Sequence, residues 1–146
     1  MAPSGGLLLD TDVVAELRRR TPDPAVVEFL HRRRHFRIFV SAITIGELHS
    51  LSRQDGSFHG IELEPWLREF KELYGSNILP IDVDVAIAWG PIAGGDGVPA
   101  VESLIAATAV QQHLSVVSGN VETYRRLAVP VINPWETDAP TSVTLH

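Results

Sequence analysis

Leu7-Leu8-Leu9-Asp10-Thr11-Asp12-Val13-Val14 is the stretch that decides the fold. Three consecutive leucines after Gly6 read as a short buried strand. Acids follow at once, and then a helical pattern from Asp12 to Arg19 with Val13, Val14 and Leu17 on one face. A buried strand running directly into a helix is the start of a parallel α/β unit. Ligands of open α/β sheets bind outside the carboxyl ends of the strands. Asp10 therefore stands where a site is expected.

The same alternation continues along the chain. Pro22-Asp23-Pro24 breaks the first helix, and Pro24 suits the first turn of a second, to about Arg34. Phe36 to Ala42 reads as a strand. Thr44-x-x-Glu47 has capping-box form and predicts a helix start. Gln54 to Gly60 is polar and loop-like. Ile61 to Tyr74 is amphipathic, with Leu63, Trp66, Leu67, Phe70 and Leu73 as its apolar stripe. Ile78 to Ile81 is a short strand, and Asp82 can cap a helix from Val83 to about Trp89. Gly90 to Pro99 reads as a loop. Then come a helix over Val101 to His113, a strand over Leu114 to Val117, a short helix over Glu122 to Leu127, and a last strand over Val129 to Ile132, stopped by Asn133-Pro134-Trp135. The expected fold is α/β: one domain over residues 1–136, a central, mostly parallel sheet of about five strands, and helices on both faces. Residues 137–146 are expected to form a flexible tail.

Composition narrows the function classes. A chain of 146 residues suits one domain with one core. It has no cysteine, which excludes disulfides, zinc–thiolate sites and thiol catalysis, and suits a cytoplasmic setting. No apolar run approaches the roughly 20 residues of a membrane span. The uncharged start Met-Ala-Pro-Ser-Gly-Gly does not read as a signal peptide. The net charge of −6 argues against a polyanion as partner, yet seven of the twelve basic residues lie between Arg18 and Arg37. Arg18 to Arg20 and Arg32 to Arg34 could form a phosphate-binding face. They could equally be solvated helix ends that complement the helix dipole.

The candidate site residues are acids at strand ends or helix starts. Asp10 ends the first strand, Glu47 follows the second, Glu102 opens the Ala-rich helix, and Asn120 or Glu122 follows the strand ending at Val117. Like charges brought together at close range are costly without a cation. Carboxylate oxygens are what Mg²⁺ or Mn²⁺ takes. Each residue also has a plainer reading. Asp10 could be an N-cap, and Asp12, Glu102 and Glu122 could be first-turn acids favoured by the helix dipole. Glu47 could complete the capping box with Thr44, and Asn120 could be a turn residue.

In order and spacing these segments resemble PIN-domain ribonucleases. Leu8-Leu9-Asp10-Thr11-Asp12-Val13 is similar to that family's opening, and Ser41-Ala42-Ile43-Thr44-Ile45-Gly46-Glu47-Leu48 to its second acidic motif. Ser103 to Ala109 is similar to the helix carrying its third acid, and Asn133-Pro134-Trp135 to the ending common in VapC-type toxins. The resemblance spans residues 7 to 135. It implies a metal-dependent endoribonuclease, the toxin of a type II toxin–antitoxin pair. Asp10, Glu47 and Glu102 would hold Mg²⁺ or Mn²⁺, and Asn120 would position a water. It further implies an RNA substrate, a VapB-like antitoxin and a homodimer. Two departures bear on catalysis. Glu102 falls where the family usually has aspartate, and Ser118-Gly119-Asn120 lacks the family's usual cation at the Gly119 position. Both imply weak activity, and Glu102 implies activity better with Mn²⁺ than with Mg²⁺.

Two other readings fit parts of the chain. Asp10-Thr11-Asp12 after an apolar run also resembles the first motif of haloacid-dehalogenase-type phosphatases, with Gly95-Asp96-Gly97 as a possible late motif. That chemistry needs a lysine near the phosphate, and the sole lysine, Lys71, lies mid-helix. A receiver domain fails on the same ground. The third reading is a partner-binding module of the same fold with a weakened site.

Overall fold

The strand read from Leu7-Leu8-Leu9 occupies the middle of the sheet. In the computed structural model, which describes residues 6–55 and 62–136, the elements in chain order are β1 (Leu7–Leu9), α1 (Thr11–Leu17), α2 (Pro24–Arg32), β2 (Ile38–Ser41), α3 (Ala42–Asp55) and α4 (Leu63–Tyr74). A 3₁₀ turn (Gly75–Asn77), β3 (Ile78–Leu79), α5 (Val83–Ala93), α6 (Ala100–Gln112), β4 (Ser115–Val117), α7 (Val121–Arg126) and β5 (Val131–Ile132) complete it. The strand order is β3-β2-β1-β4-β5 and every pairing is parallel. Leu8 of β1 pairs with Phe39 on one side and Val116 on the other. The tail expected over 137–146 and most of the loop expected over 54–60 lie outside the described residues.

The sheet is covered on both faces, and strand alternation divides the core between them. Leu7, Leu9, Val40 and Val117 point to a core completed by Val13, Val14, Val26, Phe29, Leu48, Leu67 and Phe70, from α1 to α4. Leu8, Phe39 and Val116 point the other way, to Ile105, Ala106 and Ala109 of α6 and Tyr124 of α7. Leu8 and Leu9 are fully buried. Truncating either to alanine would cost about 2–5 kcal/mol, because close-packed neighbours cannot fill the space.

This order places the site. After β1 the chain crosses through α1 and α2 to β2, and after β4 it crosses through α7, on the opposite face, to β5. The connections leave neighbouring strands in opposite directions, which opens a crevice between the carboxyl ends of β1 and β4.

Three sequence expectations are corrected. The helix after β2 begins at Ala42, where Ser41 Oγ accepts from Ile43 N at 3.1 Å, so Thr44 lies inside it and forms no capping box with Glu47. Leu73 is exposed rather than part of the α4 stripe, because at 100° per residue it falls roughly 80° off the line through Leu63, Leu67 and Phe70, while Tyr74 lies on that line. The loop expected from Gly90 begins only after Ala93. α5 continues through Pro91 and packs along α6, pinned by Trp89 Nε1 donating to Ser103 Oγ at 2.9 Å.

Candidate active site

Asp10 closes β1 and lies beside the end of β4. Its backbone N–H donates to Val117 O at 2.9 Å, which continues the sheet ladder by one residue. Its side chain is buried and held at both oxygens. Oδ1 accepts from the Thr11 N–H at 2.8 Å, which caps α1, and Oδ2 accepts from Ser118 Oγ at 2.8 Å. Capping and site membership are therefore the same arrangement.

Ser118 organises the β4 side. It is fully buried, and its Oγ also accepts from Asn120 N at 2.8 Å. Gly119 N donates to Asp12 Oδ2 at 2.9 Å, and Ser118 Oγ lies 3.4 Å from the same oxygen. Asp12 thus ties the loop after β4 to the first turn of α1. Its other oxygen, Oδ1, is buried without a hydrogen-bond partner.

Two further acids reach this point. Glu47 lies one turn beyond Thr44 in α3, and Thr44 Oγ1 contacts Thr11 Oγ1 at 3.0 Å, which joins α3 to α1. Glu102 is half-buried in the first turn of α6. Burial raises the Asp10 carboxyl above its usual range, the Ser118 and Thr11 hydrogen bonds partly offset this, and the charge of Glu102 adds to it. Burial and then the charge of Asp10 push Asp12 up to about 6. Glu47 is raised by burial, with Asp10 and Glu102 adding and the Thr11 hydroxyl opposing. The Tyr124 phenol is raised by burial and by the charges of Asp10, Glu102 and Asp12. Its hydroxyl faces Asp10 without meeting hydrogen-bond geometry and is left without a partner.

The donor chemistry fits a hard divalent cation. All the groups are oxygens, their negative charges disfavour one another, and Asp12 Oδ1 and Tyr124 Oη are buried polar atoms awaiting a partner. Among the described residues no three His, Cys, Asp or Glu side chains form a ready metal-ligand group. One or two carboxylates plus waters is the usual Mg²⁺ arrangement, so a closed cage is not required.

The other expected residues fall out unequally. Asn120 is exposed at the start of α7, and its side chain makes no capping bond there. Glu122 is exposed and pairs with Arg126 at 3.6 Å. The arginine clusters are largely engaged within the fold. Arg18 is fully buried, bonded to Ser52 Oγ and lying over Trp66. Arg19 pairs with Glu16 and Arg32 with Glu28, Arg33 stacks on Phe29, and Arg34 bonds His31 O.

Sequence reasoning underrated Asp12 and Ser118 and missed Thr11 and Tyr124 as site residues. The signal for Tyr124 was available. It lies four residues after Asn120, on a six-residue helix whose start is at the site. Gly119 also has a structural explanation. A Cβ there would stand 3.1 Å from Trp135 Cζ3 and 3.3 Å from Asp12 Oδ2. The Trp135 ring fills the space that a longer side chain would need.

Known proteins are similar in sequence and fold. The PIN domain family matches residues 7–130. Toxin FitB of Neisseria gonorrhoeae is 31% identical over 136 residues, covering 88% of this chain and 98% of FitB. The VapC ribonuclease Y4jK of Sinorhizobium fredii is 26% identical over 137 residues, 89% of this chain and 98% of that protein. The crystal structure of FitAcB from Neisseria gonorrhoeae superposes with a TM-score of 0.74 at 30% identity, covering 89% of this chain and 99% of that one. These matches leave no place for the phosphatase or receiver readings. With its five-stranded parallel sheet and its strand-end acids, the chain belongs to the PIN-domain family, in the company of FitB and the VapC-type ribonuclease.

Proposed function

We propose that this protein is a metal-dependent endoribonuclease and the toxin of a toxin–antitoxin pair. One observation carries the reading: Asp10 at the end of β1, Asp12 in α1 and Glu47 in α3 meet around the β1–β4 crevice, where burial and then the charges of Asp10 and Glu102 raise their proton affinity. The names of its relatives, a toxin and a VapC ribonuclease, support it.

Asp10, Glu47 and Glu102 would hold Mg²⁺ or Mn²⁺. When bound, such an ion lowers the pKa of a water and stabilises charge on phosphate oxygens. The chain's own residues supply the rest. Ser118 and the Thr11 N–H fix the Asp10 carboxylate, so its orientation is set before substrate arrives. The Asn120 amide would orient the attacking water. The Tyr124 hydroxyl stays neutral beside Asp10, as a donor that adds no further negative charge.

The same proposal extends to an antitoxin of VapB kind and to a homodimer. Ile81, Val83 and Ile87 at the start of α5 are exposed apolar side chains of the sort that association covers. Among the described residues no helix is long and apolar enough to cross a membrane. Placement in the cytoplasm is part of the proposal. A partner-binding module of the same fold is a second reading, favoured by Glu102 and Gly119 standing where PIN-domain ribonucleases usually have aspartate and a cation. Expression in a bacterial host separates the two. The toxin reading expects growth arrest, relieved by co-expressing a cognate VapB-like antitoxin. Normal growth at high expression of the folded protein would favour the binding module.

A further inference from the structure

A cleft of about 330 Å³ opens between the loop 94–99 and α7, walled by Asp96 to Pro99 on one side and Thr123, Arg126 and Leu127 on the other. Each wall includes a chain neighbour of a site residue. Pro99 caps the start of α6, three residues before Glu102. Thr123 adjoins Tyr124, whose hydroxyl faces Asp10. We propose that this cleft is a subsite for one nucleotide of the RNA, next to the phosphate being cut. The proposal rests on the ribonuclease reading and adds where the neighbouring nucleotide sits.

The chemistry of the walls matches a nucleotide. Val98, Pro99 and Leu127 are apolar and suit the faces of a base. Thr123 supplies a hydroxyl, and Asp96 can accept from a ribose hydroxyl or a base amine. Arg126 supplies the cation for a phosphate. It is available for that role, because among the described residues it pairs with Glu122 at 3.6 Å and both side chains are more than 70% exposed. Such pairs contribute about 0–1 kcal/mol and are easily exchanged. Gly97 has φ +70, and a Cβ there would meet nothing within 4 Å, so the loop turns without a side chain obstructing the opening. The volume lies near the bottom of the range for small-molecule sites, roughly 300–1,000 Å³, which fits one nucleotide and not a folded RNA element. The glycine at 119 leaves no cation on the loop after β4, and the last turn of α7 carries Arg125 and Arg126.

The test reads binding without cleavage. Nucleoside 5′-monophosphates are titrated into the full-length, metal-free protein, and the backbone amides of Gly97, Val98, Thr123 and Leu127 are followed by NMR. The expected result is saturable shifts at these amides, with inorganic phosphate and the free nucleoside each binding several-fold more weakly. Arg126→Ala, a change at an exposed position, should weaken monophosphate binding about tenfold, as expected for loss of a charged hydrogen bond. Unmoved amides in this cleft, or equal affinity in wild type and Arg126→Ala, would overturn the subsite. Because no metal or turnover is involved, that failure is distinct from failure of the ribonuclease reading, which a cleavage assay reports.

Discussion

Tyr124 carries a hydroxyl into a place where packing alone asks only for a ring. The ring sits among Leu8, Ile105 and Val116, while the oxygen is buried without a partner beside Asp10. An unsatisfied buried hydroxyl costs about 1–3 kcal/mol, so a purely structural tyrosine would be better replaced by phenylalanine. Tyr124→Phe should therefore leave thermal stability unchanged or raise it, and weaken Mn²⁺ binding several-fold in calorimetry. Unaltered Mn²⁺ affinity would make the hydroxyl irrelevant to the site. Gly119 poses the opposite case, a position where a side chain would press on the Trp135 ring and on Asp12 Oδ2. Gly119→Arg should destabilise the protein by about 1–3 kcal/mol in denaturant unfolding, because Trp135 must move. An unchanged midpoint would mean that the ring yields freely. The place of Asp10, at the end of a buried strand and the start of a helix, was legible from the sequence. The reason for Gly119 was not, since it depends on a tryptophan 16 residues further along the chain.

Periodicity made the strands and most helices readable. β1, β2 and β4 are short apolar runs, and their alternation with amphipathic segments leaves little besides a covered parallel sheet. What local patterns could not supply were contacts between elements. Thr44 has every mark of a cap when read with Glu47, yet it serves as the partner of Thr11 across the α1–α3 interface. Pro91 suggests a loop, yet packing on α6 and the Trp89–Ser103 bond carry α5 past it. Thr44→Val preserves shape and removes the hydroxyl link. It should cost about 1–2 kcal/mol in unfolding experiments. A neutral or stabilising result would mean that the α1–α3 contact does not depend on this pair.

For the whole molecule, the acids of the crevice tie stability to pH and to metal. Asp12 rises from 3.8 to about 6, and Asp10 and Glu47 shift in the same direction. A carboxyl whose folded pKa is raised keeps its proton in the folded state after the unfolded chain has lost it. Between about pH 4 and 6 the folded protein holds more protons, so raising the pH through this window lowers stability, by on the order of 1–3 kcal/mol. The metal-free protein should show this fall in its unfolding midpoint. Mn²⁺ at pH 7 should restore the loss, since a ligand that binds only the folded state stabilises it. Stability that rises from pH 4 to 6 in the metal-free protein would contradict the burial and mutual repulsion of these acids.

The central claim is that the β1–β4 crevice cuts RNA with a divalent ion held by Asp10. Cleavage of a mixed RNA pool by the purified protein, with Mn²⁺, with Mg²⁺ and with a chelator, against Asp10→Asn under the same conditions, tests it most directly. The account predicts cutting with Mn²⁺, weaker cutting with Mg²⁺, none with the chelator, and at least a 100-fold loss in Asp10→Asn, since one misplaced ligand costs about that much. Cleavage that survives both the chelator and Asp10→Asn, or a folded wild-type protein that binds Mn²⁺ and cuts no RNA, would contradict it.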